Sequence, residues 1–148
     1  MRTIKRDIVG AFIFSQDNHI LLGKSNRGTY EGMWIIPGGG IEDGETYKQA
    51  VIREVFEETG IDISNETIEQ MDLQLTGTSR KILKDTNEEV LGDYTFFNFV
   101  IRLSKNSDEV VLVAGDDFDH PTWQPVGSLS KLSLPVPSIK SLQFLGVL

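Results

Sequence analysis

The segment Arg53–Gly60, REVFEETG, sets three carboxylates and one guanidinium within eight residues. Thr46 reads as an N-cap, Gln49 three positions on as its capping-box partner, and Gly60 as the glycine that ends a helix. At roughly 100° per residue, Glu54, Glu57 and Glu58 fall within about 100° of one another, beside an apolar stripe of Val51, Ile52, Val55 and Phe56. Arg53 flanks the acidic side and is within i,i+4 reach of Glu57. A water-facing acidic surface is the plain alternative. Against it, Glu54 and Glu58 are like charges four residues apart, and Glu57 and Glu58 lie near the helix C-terminus, where the macrodipole disfavours anions. A divalent cation reverses both penalties, and Mg²⁺ suits because it takes carboxylate oxygens, keeps waters and bridges to phosphate.

The preceding segment GGGIEDGE, Gly38–Glu45, supplies a turn whose backbone can approach a ligand or offer a carbonyl to a metal. Alone it is a weak signal. The helix begins too late for a dinucleotide fingerprint, and the Walker lysine with its Ser or Thr is missing.

The elements that must hold these residues follow from pattern. DIVGAFIF and HILLGK, separated by Ser15 to Asn18, read as a β-hairpin, and MWIIP as a third strand. Further strands are expected at about Asp72–Ile82, Tyr94–Leu103, Glu109–Val113 and Thr122–Pro125, with a closing helix at Ser138–Leu145 after Pro135 and Pro137. Asn65-Glu66-Thr67 reads as a turn and helix start rather than a glycosylation site. Strands on both sides of one central helix, with a second helix at the end, predict an α/β fold with a mixed sheet between helices.

Composition narrows the chemistry. The 148 residues suit one domain, 1–148. With no cysteine there is no disulfide, thiolate nucleophile or cysteine-bound zinc. Fourteen basic against 22 acidic residues leave a net charge of −8, which argues against a nucleic-acid polymer as partner. No apolar run approaches the roughly 20 residues of a membrane span, and the N-terminus lacks a cleavable leader pattern, so a cytoplasmic protein is expected. His19 and His120 stand too far apart to suggest a metal pair; His19 reads as a turn or edge-strand residue and His120 as a loop residue.

From Gly39 through Ile61 the run G-x5-E-x7-R-E-V-x-E-E-x-G-I matches every specified position of the Nudix box: Gly39, Glu45, Arg53, Glu54, Val55, Glu57, Glu58, Gly60 and Ile61. The chain thus resembles the Nudix hydrolases of the MutT type, and the strands around the box look like the Nudix α/β/α sandwich. The resemblance implies Mg²⁺-dependent hydrolysis of a nucleoside diphosphate derivative, with Mn²⁺ able to substitute. It makes Glu54, Glu57, Glu58 and the carbonyl of Gly39 metal ligands, has Arg53 orient the glutamates, and has Glu45 fix the loop against the helix. It leaves the general base open between Glu54 and an acid outside the box, for which Asp116 and Asp117 are candidates.

Substrate choice lies mostly outside the box. ADP-ribose branches carry a proline shortly after it and dinucleoside polyphosphate branches a tyrosine; here no proline occurs between Pro37 and Pro121, and the first tyrosine is Tyr94. RGTYEGMWIIPGGGIEDGE and SIKSLQFLGVL are similar to a bacterial branch that hydrolyses nucleoside triphosphates and prefers pyrimidine deoxynucleotides. On that resemblance Arg27 contacts phosphate, with Arg80 and Lys81 as weaker candidates, while Tyr30, Trp34 or Phe96 stacks on a base. Trp34 and Phe96 also suit core positions. The partner is then a small nucleotide, and a homodimer is compatible with it. The alternatives are a nucleotide-sugar or ADP-ribose pyrophosphohydrolase, and a non-catalytic nucleotide sensor, which could dispense with the glutamates that this chain retains.

Overall fold

The computed structural model describes residues 1–115 and 118–148. Its strands are β1 (Arg2–Phe14), β2 (His19–Ser25), β3 (Trp34–Ile35), β4 (Gly38–Gly40), β5 (Thr67–Ile82), β6 (Glu89–Arg102) and β7 (Phe118–Pro125). Its helices are α1 (Tyr47–Thr59) and α2 (Val136–Phe144). The strands form one mixed sheet in the order β3-β2-β1-β6-β5, with β4 paired to β1 and β7 to β2. β1 and β6 run parallel from Arg2↔Val90 to Phe14↔Arg102, and the other strand pairs are antiparallel. No helix among the described residues is long and apolar enough to cross a membrane.

Successive strand residues point to opposite faces, and this alternation builds two cores. Val9, Ala11 and Ile13 of β1 join Phe99 and Ile101 of β6 against Ala50, Val51 and Val55 of α1. Phe12 and Phe14 join Val100 on the other face, packed with Leu129, Leu134 and Leu142. Residues 9–14 are buried on both faces, which explains why β1 reads as an unbroken apolar run there. The result is the α/β/α sandwich, with α1 and α2 on opposite faces.

Several boundaries differ from the sequence expectation. Glu109–Val113 is not a strand. A 3₁₀ turn covers Ser107–Glu109, and although Val110 and Leu112 pack on the α1 core, the Val113 N–H donates to the Thr59 carbonyl at 3.0 Å rather than to a strand. The alternation there is real, but no sheet edge receives it. β5 and β6 both begin earlier than expected, at Thr67 and Glu89, because backbone pairing continues past the patterned positions, from Thr67↔Arg102 to Ile82↔Glu89. Thr67 therefore begins a strand, not a helix. α2 starts at Val136 and includes Pro137, a residue tolerated in a first helical turn. Phe56, at the margin of the apolar stripe, is 57% exposed. His120 lies within β7, with φ 48°, beside Pro121 where the β2–β7 register shifts. A proline without an N–H fits such a break in the ladder.

The largest departure is β4. Three glycines read as a turn, since glycine is depleted in strands, yet they pair with β1 as Ile8↔Gly40, Val9↔Gly39 and Gly10↔Gly38. A Cβ on Gly38 would run into the Val9 backbone carbonyl, and one on Gly39 would lie 2.5 Å from Glu54 Oε1. Close approach on both sides is why this strand has no side chains. Gly38→Ala is therefore expected to cost about 2–3 kcal/mol in urea denaturation. Gly127→Ala, where nothing lies within 4 Å of the added carbon, should change little; equal losses would refute the wall.

Candidate active site

α1 is fixed at both ends by its own sequence. The Thr46 hydroxyl accepts from Gln49 N–H at 3.1 Å while Gln49 Oε1 accepts from Thr46 N–H at 2.9 Å, and Gly60, at φ 78°, donates to the Phe56 carbonyl at 2.9 Å. The other anchor is aromatic, with Tyr47 stacked on Phe97 at 4.1 Å between ring centroids.

Arg53 is the hub of the cluster. Its Nε and Nη2 donate to the two oxygens of Glu45 at 2.7 and 2.9 Å, and Nη2 also donates to the Gly40 carbonyl at 3.2 Å. Nη1 reaches Glu54 at 2.9 Å and Glu57 at 3.3 Å. Glu45 accepts in addition from Glu42 N–H at 2.9 Å, so the loop before α1 is tied to its acidic side. Glu58 is buried, and its Oε1 accepts from Gly38 N–H at 2.8 Å. Glu54 lies against Gly39 on the same glycine strand, whereas Glu57 is half exposed.

These surroundings set the protonation equilibria. The Arg53 guanidinium, followed by the Glu42 N–H, pulls the Glu45 carboxyl down to about 2. The bond to Glu45 in turn raises Arg53. Burial pushes Glu54 up, and Arg53 only partly offsets it. A carboxyl raised in this way holds a proton more readily than a free one.

Among the described residues no three acidic or histidine groups converge on one point where a cation could sit. The reason is visible in the bonding, since Arg53 draws Glu54 and Glu57 towards itself. The donor set still fits a hard divalent cation: carboxylate oxygens and a backbone carbonyl, with one guanidinium set among several acids.

On the other side of β4 lies a cavity of about 180 Å³, lined by Tyr30, Ile36, Pro37, Phe96, Asn98 and Pro135 among others, with Gly38 and Gly39 in its wall. A second cavity of about 310 Å³ shares Ile8, Tyr30 and Phe96 with the first and is lined also by Arg6, Arg27 and Lys81. The structure thus brings Arg27, Tyr30 and Phe96 together beside the glycine strand. It does not bring Trp34, which packs on the α2-side core with its ring 5.1 Å from Lys24 Nζ. Arg80 is turned to Glu89 at 3.4 Å. Asp116 and Asp117 lie outside the described residues.

Sequence reasoning missed Arg6 and Asn98. Arg6 lies over Gly40, close enough that a Cβ there would collide with its guanidinium. Asn98 follows from β6 register alone: it points to the same face as Phe96, opposite to Phe97. Only the pairing Gly10↔Asn98 could have revealed it.

A family model described as NUDIX domain matches residues 4–143. Among curated proteins, the chain is 35% identical over 98 residues to the uncharacterized Nudix hydrolase YvcI of Bacillus subtilis, covering 66% of this chain and 54% of that one. It is 29% identical over 138 residues to the nucleoside triphosphatase NudI of Salmonella agona, covering 92% and 94%. Among solved structures, the NUDIX domain of Shewanella oneidensis NrtR complexed with ADP ribose aligns at a TM-score of 0.73 and 20% identity, over 95% of this chain and 85% of that one. The chain thus spans about half of YvcI and nearly all of NudI.

Because the folded pKa of Glu45 is depressed, the Arg53–Glu45 contribution to stability is complete above the ordinary value of 4.5 and is lost as pH falls towards about 2. The difference in Tm between the parent and Glu45→Gln should therefore be constant above about pH 5 and shrink below it. A gap that stays the same down to acid unfolding would contradict this pairing.

Proposed function

We propose, for a chain that belongs to the NUDIX domain family, that it hydrolyses a phosphoanhydride bond of a nucleoside diphosphate derivative, with a (deoxy)nucleoside triphosphate as substrate. The observation that carries the reading is the Arg53-bound carboxylate cluster, set one glycine strand away from a cavity flanked by Tyr30 and Phe96. Similarity to NudI over 92% of this chain supports the triphosphate.

Glu54, Glu57, Glu58 and the Gly39 carbonyl would hold Mg²⁺, or Mn²⁺ in its place, which would supply a Lewis acid to screen phosphate charge and acidify the attacking water. The protein's own groups do the rest. Arg53 keeps Glu54 and Glu57 on one side of α1 and, through Glu45, locks the loop that carries Gly39. The proton of the attacking water goes to Glu54 or to an acid outside the box. Tyr30 and Phe96 flank the base. Arg27, with Arg6 and Lys81, gives the phosphate chain a cationic lining that the net charge of −8 does not otherwise provide.

A second reading, an ADP-ribose or nucleotide-sugar substrate, is favoured by the second cavity, which offers room for a further sugar beside the first. The deciding experiment is a panel of nucleoside triphosphates, ADP-ribose, dinucleoside polyphosphates and nucleotide sugars, assayed with Mg²⁺ for phosphate and pyrophosphate release. Triphosphates should be cleaved best; if none of the panel is cleaved, a ligand-binding sensor replaces the hydrolase. In the same assay Glu57→Gln, at a half-exposed position, should keep its fold and lose roughly 100-fold in turnover, about 2.7 kcal/mol of barrier. Unchanged turnover removes Glu57 from the ligand set.

A further inference from the structure

We propose that Asn98 is a specificity-determining residue that reads the hydrogen-bonding edge of the substrate's base. The inference rests on the nucleotide reading above. Its starting point is Asn98, which is only 7% exposed and lines the cavity of about 180 Å³; its amide makes no hydrogen bond to a described residue yet is not sealed from water, the sealed and unpaired side-chain atom among the described residues being Trp123 Nε1. A ligand that fills the cavity displaces the water that reaches this amide, and the amide then needs a partner on the ligand, because desolvation without a new bond is costly. The fold makes space for the amide. Gly10, its register partner on β1, lacks the Cβ that would stand 2.5 Å from Asn98 Oδ1.

The cavity fits one kind of occupant. Its walls are flat and apolar, from Ile8, Ile36, Pro37 and Pro135 with Tyr30 and Phe96. Its volume is below the roughly 300–1,000 Å³ of pockets that take drug-sized molecules, so it admits one heteroaromatic ring system rather than a nucleotide with its sugar. Tyr30 and Ser138, the other side chains there with hydroxyls, are only partly buried, so the deep polar group is Asn98. Gly38 and Gly39 form the wall towards Glu58 and Glu54, which puts a base in this cavity next to the place where its phosphates meet the acids.

A carboxamide presents an acceptor and a donor side by side. That pair complements the adjacent donor and acceptor on the lactam edge of uracil, thymine or guanine, and, turned over, the amino edge of cytosine or adenine. No hydrogen bond from a described residue fixes which way the Asn98 amide points. It can therefore serve either edge and rejects a base whose ring N–H is blocked, since its own buried groups would then stay unpaired.

The test uses the whole chain without metal, so that it does not depend on turnover. Uridine and guanosine, each beside its edge-blocked counterpart N3-methyluridine or N1-methylguanosine, are titrated into ¹⁵N-labelled protein and followed at the side-chain amide signals. At least one unblocked nucleoside should move the Asn98 carboxamide resonance and bind about tenfold or more tightly than its methylated form. Asn98→Leu should erase that difference without lowering the Tm, because the amide makes no hydrogen bond to a described residue that holds the fold, whereas loss of a structural asparagine lowers Tm. The inference is overturned if methylation costs the parent nothing in both pairs, if neither nucleoside touches the Asn98 signal, or if Asn98→Leu keeps the preference. Should the variant not fold, the methylation penalty and the amide shift in the parent decide alone. A protein that shows them yet cleaves none of the panel above keeps this inference and loses the hydrolase reading; cleavage without them does the reverse.

Discussion

One guanidinium holds the acidic side of this molecule together. Arg53 bonds to Glu45, Glu54, Glu57 and the Gly40 carbonyl, in a chain whose net charge is −8. Like charges at i,i+4 and anions at a helix C-terminus are each unfavourable by a few tenths of a kcal/mol, and Arg53 offsets them while leaving the cluster net negative. Arginine suits the place because its planar fork meets Glu45 through two nitrogens and still has a third for Glu54 and Glu57; a lysine could not span the set. The interaction also crosses from the loop to the helix. It therefore fixes the distance between β4 and α1 as well as the charge.

Around that fixed edge the sheet divides its tasks by alternation. Odd-numbered residues of β6, from Phe97 to Ile101, build the core under α1, while Phe96, Asn98 and Val100 face the cavity and α2. The glycine strand sits where the two tasks meet, with Glu54 and Glu58 on one side and the cavity on the other. Because it carries no side chains, its backbone N–H and carbonyl groups are what the two sides share.

How much of this was legible in the sequence follows from how local each signal is. The helix α1, its capping box, its glycine end and the grouping of the three glutamates could all be read, because each depends on residues within one or two turns of one another. Phe56 marked the limit, since a projection ranks faces but does not say how far the sheet extends. β4 escaped because strand propensity counts side chains and this strand exists by lacking them. Glu109–Val113 has the right alternation without a neighbouring edge to bond. Asn98, Arg6 and the separation of Trp34 from the cavity depend on register between distant strands, which no window along the chain contains.

The parallel ladder between β1 and β6 has a consequence for the entropic cost of bringing these parts together. The acidic cluster is assembled from Gly38 to Glu58, a short loop and one capped helix, so its pieces meet at small entropic cost. The cavity needs Gly10 beside Asn98, and that closure encloses most of the chain. Loop closure thus costs less entropy for the charged cluster than for the chamber, so the two halves of one site draw on different ranges of the chain.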